Sequence, residues 1–181
     1  HQVSGPHPAG NVGVQIHHTN PINKGEVIWY VNYQDVANIG NVLSTGKFNV
    51  TRTVAFAGSC CNSPKYYNYI LGASVKTEVI AQQNSENCRV ISGNVLTGEA
   101  IAKDGFLGYF DNVVTLIPEG TEPQFLLTRG WLSPGFHKHS VSHSYPSWIM
   151  KGKEYDLTTN LNGEERAFVV TGQYEKVFPF D

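Results

Sequence analysis

Thr51-Arg52-Thr53-Val54-Ala55-Phe56-Ala57, Gly58-Ser59-Cys60-Cys61-Asn62-Ser63-Pro64 and Tyr66-Tyr67-Asn68-Tyr69-Ile70-Leu71 form the continuous stretch, broken only by Lys65, on which the fold turns. Its two outer thirds are rich in β-branched and aromatic residues. The middle third, apart from Cys60 and Cys61, is made of Gly, Ser, Asn and Pro, which favour a reversal. The pattern predicts an antiparallel hairpin. Just beyond it, Ser74 is placed to cap a short helix over 75–81, with Glu78 near the N-terminal end, where the helix dipole favours an anion. A hairpin that feeds a helix is the opening of a β-grasp. Two more apolar runs, 88–91 and 111–117, flank Ser92-Gly93-Asn94-Val95-Leu96-Thr97-Gly98 and complete a small mixed sheet over one helix. The fold class read from this part is α+β.

Upstream, residues 1–21 are rich in Gly, Pro, Asn and His, and a short strand is expected over 13–17. Glu26-Val27-Ile28-Trp29-Tyr30-Val31 reads as a second strand. Val36, Ile39, Val42 and Leu43 then recur at helical spacing between Asn32, an N-cap residue, and Gly46, a C′ residue. This predicts the best-defined helix of the chain. Downstream of Pro118-Glu119-Gly120-Thr121 the composition shifts to Pro, Ser, His and Lys, and strands are expected over 155–159 and 166–172 around the turn signal Asn162-Gly163. The boundaries that follow are 1–48, 49–120 and 121–181, the last a β-rich extension.

Charged residues make up only 15% of the chain, which suggests that part of its surface meets a neighbour. The net charge is −2 and the 13 Lys and Arg are scattered, so no basic face is available to neutralise phosphates, and nucleic acid is not an expected partner. No run approaches the roughly 20 apolar residues that span a bilayer, so no transmembrane segment is expected. With three Cys, two of them adjacent at Cys60 and Cys61, no even disulfide framework is expected, and a reducing compartment fits. The start without Met and the apolar end Val177-Phe178-Pro179-Phe180 suggest a piece of a longer protein.

His137, His139 and His143 are the one ligand-like cluster, since imidazoles two apart on a strand share a face and suit zinc or copper. They lack a fourth ligand, and a solvent-facing polar loop is the competing reading. His17 and His18, adjacent on the expected strand, point to opposite faces and cannot chelate together. Cys60-Cys61 reads as a pair of turn thiols, because a bridge between neighbours requires unusual geometry. The stretches 4–13 and 92–98 are glycine-rich but match neither phosphate-binding spacing, and neither is expected to lead into a helix. No hydrolase motif occurs, so no catalytic residue is assigned.

Ser4-Gly5-Pro6-His7-Pro8-Ala9-Gly10, Trp29-Tyr30-Val31-Asn32-Tyr33-Gln34-Asp35-Val36, Leu71-Gly72-Ala73-Ser74 and Arg89-Val90-Ile91-Ser92-Gly93-Asn94-Val95-Leu96-Thr97-Gly98 occur in the order that resembles the NqrA subunit of the sodium-translocating NADH:quinone oxidoreductases. The likeness continues through Pro134-Gly135-Phe136-His137-Lys138-His139-Ser140-Val141-Ser142 and Gly172-Gln173-Tyr174-Glu175-Lys176-Val177-Phe178-Pro179. The resemblance implies the end of a Rossmann-like domain over 1–48 and a β-grasp of the soluble-ligand-binding type over 49–120. It implies a peripheral subunit on the cytoplasmic side of the bacterial inner membrane, docked on the other subunits of a complex that uses NADH, flavins, iron-sulfur clusters and ubiquinone to export sodium ions. This fragment is expected to bind no cofactor itself and to be inactive in isolation. Ubiquinone is a candidate ligand, with Tyr66, Tyr67, Tyr69 and Phe106 as the aromatics that would hold its head group.

Overall fold

Six register pairs, from Thr51 opposite Ile70 to Phe56 opposite Lys65, join β1 (Thr51–Ala57) to β2 (Lys65–Ile70) in the antiparallel hairpin that the sequence predicts. The period of two along β1 places Arg52, Val54 and Phe56 inward and Thr51 and Thr53 outward. Tyr69 and Tyr67, paired with Arg52 and Val54, face the same way. The computed structural model describes residues 2–5, 7–120, 134–136, 146–150, 152–157 and 159, which fall into two units, His1–Asn49 and Val50–Asp181.

In the second unit the hairpin is followed by α3 (Lys76–Gln82), β3 (Cys88–Ser92), β4 (Glu99–Ile101) and β5 (Val113–Pro118). The strand order is β2-β1-β5-β3-β4, with β5 parallel to β1 and antiparallel to β3. Val75 and Val79 at the helix meet Val54, Phe56, Val90, Val114 and Leu116 from the sheet in one core. Each fully buried side chain of this size contributes roughly 1.5–3 kcal/mol, so this layer carries most of the stability of the unit. Ile91 and Ile117 form a smaller cluster with Val95. The three-residue β4 was not expected, since it falls at the end of a stretch read as glycine turns. It exists because it pairs with β3, not because its own residues favour a strand. The helix starts one residue later than its capping serine suggests: Val75 takes the cap position, while Ser74 Oγ still accepts from Lys76 N at 3.3 Å.

Gly58 begins the connection from β1 to β2 with φ +114, and a Cβ there would lie 2.1 Å from the carbonyl oxygen of Leu116. Only glycine fits so close to β5. The same connection corrects the cysteine reading. Cys60 does not remain a thiol beside Cys61; it is joined in a disulfide to Cys88, with Cα atoms 6.3 Å apart, and Cys61 alone is free. Proximity came from the packing of β3 beside β5, which spacing in the sequence cannot show.

At the far end of β5, Arg89 makes two hydrogen bonds of 2.7 Å with the Glu119 carboxylate. Thr159 ties onto the same point: its N–H donates to Pro118 O at 3.2 Å and its hydroxyl donates to Glu119 Oε1 at 3.0 Å. The strand expected over 155–159 is not formed by its described residues, which attach through such single bonds and not through a ladder. The strand expected over 166–172 and the Asn162-Gly163 turn lie outside the described residues.

In the first unit α2 (Tyr33–Thr45) follows the sequence closely. Asn32 accepts from Gln34 N through its side chain at 3.0 Å, and Gly46 closes the helix with φ +71. The strand expected over 13–17 is instead α1 (Val12–Thr19). Val12 and Ile16 are one helical turn apart, and Thr19 Oγ1 closes back on Gln15 O at 2.8 Å. No neighbouring strand among the described residues pairs with this segment. For the same reason 26–31 forms no strand despite its β-forming residues, and Trp29 is 90% exposed.

Candidate functional site

The aromatic residues that the sequence groups as one binding face do different work in the structure. Tyr67 packs edge-on against Phe56, with ring centroids 5.0 Å apart, and its hydroxyl accepts from Gln82 Nε2 at 2.7 Å. Gln82 in turn accepts from Ser63 N at 3.1 Å, so this chain of bonds ties β2, α3 and the loop before β2 together. Tyr69 also leans on Phe56 and places its hydroxyl against the carbonyl oxygen of Ser74 and 3.0 Å from Glu78 Oε2. Burial, and then the hydrogen bond and negative charge of Glu78, push the Tyr69 phenol well above its ordinary value near 10. Both tyrosines are structural braces between sheet and helix. Tyr66, one residue away, points to the other face and is 77% exposed, and Phe106 lies on the β4–β5 connection. The four do not form one aromatic cluster.

A different arrangement emerges on that connection, residues 102–112. The side chains of Phe106, Tyr109 and Phe110 are all exposed, and the rings of Tyr109 and Phe110 meet edge to face at 5.0 Å. The loop beneath them is tied at many points. Val75 N donates to Gly105 O at 3.0 Å, Ser74 Oγ donates to Asp104 O at 2.7 Å, and Ala55 N donates to Asn112 O at 2.9 Å. Ser92 Oγ donates to Asp111 Oδ2 and accepts from Gly108 N at 2.8 Å. A Cβ on Gly108 would stand 2.5 Å from that carboxylate, which would have to shift to admit it. Arg52, buried in β1, donates to the carbonyl oxygen of Tyr109 and holds its guanidinium carbon 5.4 Å from the Tyr109 ring. Rings held outward by a fixed backbone make a contact surface. The signal was available in Phe106-Leu107-Gly108-Tyr109-Phe110, where three aromatics flank Leu107 and Gly108. The support from Arg52 was not, because it depends on the parallel pairing of β1 and β5.

His137, His139 and His143 lie outside the described residues. Among the described residues no group of three His, Cys, Asp or Glu is placed to hold a metal ion. His17 and His18 sit on α1, not on a strand, with their rings 5.2 Å apart and nearly perpendicular. The glycine stretch 4–13 does lead into a helix, contrary to expectation, through the short 3-10 turn His7–Gly10. The stretch 92–98 is a turn as expected: Gly93 has φ +94, and Asn94 Oδ1 accepts from Leu96 N and Thr97 N at 2.9 and 3.0 Å.

Residues 1–48 match the family described as the NqrA second alpha/beta domain, and residues 53–103 match the one described as the NQRA C-terminal domain. Together they cover more than half of the chain. The chain belongs to the NqrA family. Its relative in Rhodopirellula baltica, the NqrA subunit of a Na(+)-translocating NADH-quinone reductase, is 42% identical over 180 residues, which are 98% of this chain and 39% of that protein. The corresponding subunit of Hahella chejuensis is 41% identical over 181 residues, and that of Vibrio parahaemolyticus 37% over 182, in each case 40% of the longer protein. This NqrA chain thus spans about two fifths of the length of these relatives. The division between the two matched families, after residue 48, falls beside the division between the two structural units, after Asn49.

Proposed function

We propose that this chain is a docking part of the NqrA subunit in a sodium-exporting NADH:quinone oxidoreductase, and that it holds partner subunits without binding flavin or an iron-sulfur cluster itself. The observation that carries the reading is the likeness to NqrA relatives over nearly every residue of the chain, at 37–42% identity. The first unit is then the closing part of a Rossmann-like domain, which accounts for helices that bury none of their residues here. The second is a β-grasp, in keeping with a hairpin, a helix and a last strand inserted parallel beside the first. No helix among the described residues is long and apolar enough to cross a membrane, and we assign the chain a peripheral place on the cytoplasmic face of the bacterial inner membrane. The quinone-binding alternative gains nothing from Tyr67 and Tyr69, whose hydroxyls are already engaged with Gln82, Ser74 and Glu78.

The reading is tested by purifying the full-length protein with its membrane partners and mapping crosslinks onto this stretch. The expected result is a set of crosslinks from residues 104–110 to another polypeptide of the complex. Crosslinks confined to parts of the full-length protein outside these 181 residues would reject the docking role. A stoichiometric flavin absorbance in the purified chain would reject the cofactor-free assignment.

A further inference from the structure

The disulfide between Cys60 and Cys88 sits in a frame that does not need it. Cys60 N donates to Leu116 O at 3.0 Å and Cys60 O accepts from Asn84 N at 2.9 Å, while Asn84 Nδ2 donates to Ser59 O at 3.0 Å. Cys88 is held by its register opposite Pro118 in β5, and beside it Glu119 N donates to Asn87 O at 3.0 Å. None of these bonds involves sulfur, so the two side chains stay opposed whether or not they are joined. Their Cα separation of 6.3 Å lies within the range for a disulfide. The separated state is also provided for, because the carbonyl oxygen of Ser85 lies 3.1 Å from Cys88 Sγ and can accept from its thiol. Cys61, although adjacent to Cys60, directs its sulfur to Gln82 Oε1 at 3.8 Å and is fixed by a bridge to Gln83.

We propose that Cys60 and Cys88 are a reversible dithiol–disulfide pair, a modification site that fastens the β1–β2 connection to the start of β3, with Cys61 excluded from the exchange. The co-reactant is a low-molecular-weight disulfide of the glutathione type. Cys88, 7% exposed against 1% for Cys60 and next to the exposed turn 84–87, is the point of entry. Its thiolate attacks one sulfur of the small disulfide and releases one small thiol. The Cys60 thiolate then attacks the Cys88 sulfur of the mixed disulfide and releases the second. The two protein protons leave on the two released thiols, and two electrons pass from the protein to the small disulfide. The closed bond spans 28 residues that include β2 and α3, so oxidation suppresses opening of the hairpin and the helix together.

The test is thiol counting on the 181-residue chain after oxidised glutathione, with alkylation under denaturing conditions and peptide mapping. One free thiol per chain and a Cys60–Cys88 linkage are expected. Native treatment with dithiothreitol should restore three thiols and lower Tm by roughly 5 °C, and the cycle should repeat. Cys61→Ser should cycle in the same way. Cys60→Ser should keep the lower Tm whatever the oxidant. Three free thiols after oxidation would overturn the proposal, as would a linkage through Cys61 or a bond that dithiothreitol reduces only after unfolding. Should Cys60→Ser fail to fold, the thiol count and peptide map of the unaltered chain decide the matter alone.

Discussion

Two helices of this chain are specified in opposite ways. In the first unit α2 has thirteen residues, a side-chain N-cap from Asn32 and a left-handed glycine at its end, yet none of its residues is buried. In the second unit α3 has seven residues, no side-chain hydrogen bond from its cap position, and buries Val79 and Gln82 against the sheet. Local signals therefore decide where a helix begins and ends, whereas packing decides whether it adds to stability. The apolar stripe of α2, with Val36, Ile39, Val42 and Leu43 all exposed, is that of a helix made to be covered.

The comparison breaks most visibly if core truncations fail to separate the units. Phe56→Ala should cost about 3–5 kcal/mol in denaturant unfolding of the second unit, while Ile39→Ala in α2 should stay within about 0.5 kcal/mol for this chain. Equal losses would mean that α2 is packed after all. Gly58→Ala is expected to cost roughly 3 kcal/mol, since a left-handed backbone and a contact with Leu116 O oppose the added methyl. Glu119→Gln leaves the largely buried Arg89 without its carboxylate, and a loss of about 1–2 kcal/mol, read from the shift in urea midpoint, is expected. Asn32→Ala should remove about 1 kcal/mol from α2 alone, visible as faster amide exchange in its first turn with the second unit unchanged.

The dependence on pH concerns Tyr69. Its phenol is held protonated in the folded state above its ordinary value, so its contribution is complete below about pH 10 and is lost as pH rises beyond that. Above pH 10 the unfolded chain gives up the proton first, and unfolding gains. Tyr69→Phe should make the alkaline fall in stability shallower than in the unaltered chain, as followed by circular dichroism from about pH 9 to 12. An unchanged slope would show that the Tyr69 phenol contributes nothing to the alkaline loss.

Much of the second unit could be read from sequence because alternation and turn residues are local properties. Val54 and Phe56 against Tyr67 and Tyr69, with Gly58 and Pro64 between, specify the hairpin before any tertiary contact exists. The helix at 33–45 was equally legible from Asn32 and Gly46. The errors share a physical cause. Residues 26–31 and 13–17 have β-forming composition, but a strand requires a neighbour, and none of the described residues provides one. Conversely Glu99, Ala100 and Ile101 became a strand because β3 lay open beside them. The candidate site failed similarly: Tyr66 and Tyr67 are neighbours in sequence and face opposite sides of the sheet, while Arg52 and Tyr109 are far apart in sequence and touch. Cys88 joined Cys60 for the same reason. Sequence gives residues their direction along an element, but not the company that distant elements bring.

The position of β5 governs the order of events during synthesis. Among the described strands it is the last made and the one inserted between β1 and β3, so the sheet has no centre until residues 113–118 have left the ribosome. Until then the hairpin and the β3–β4 pair are two separate ribbons, each presenting an unpaired edge to whatever strand comes near. A nascent chain stalled before residue 113 should therefore need chaperone protection, and one released past residue 118 should not.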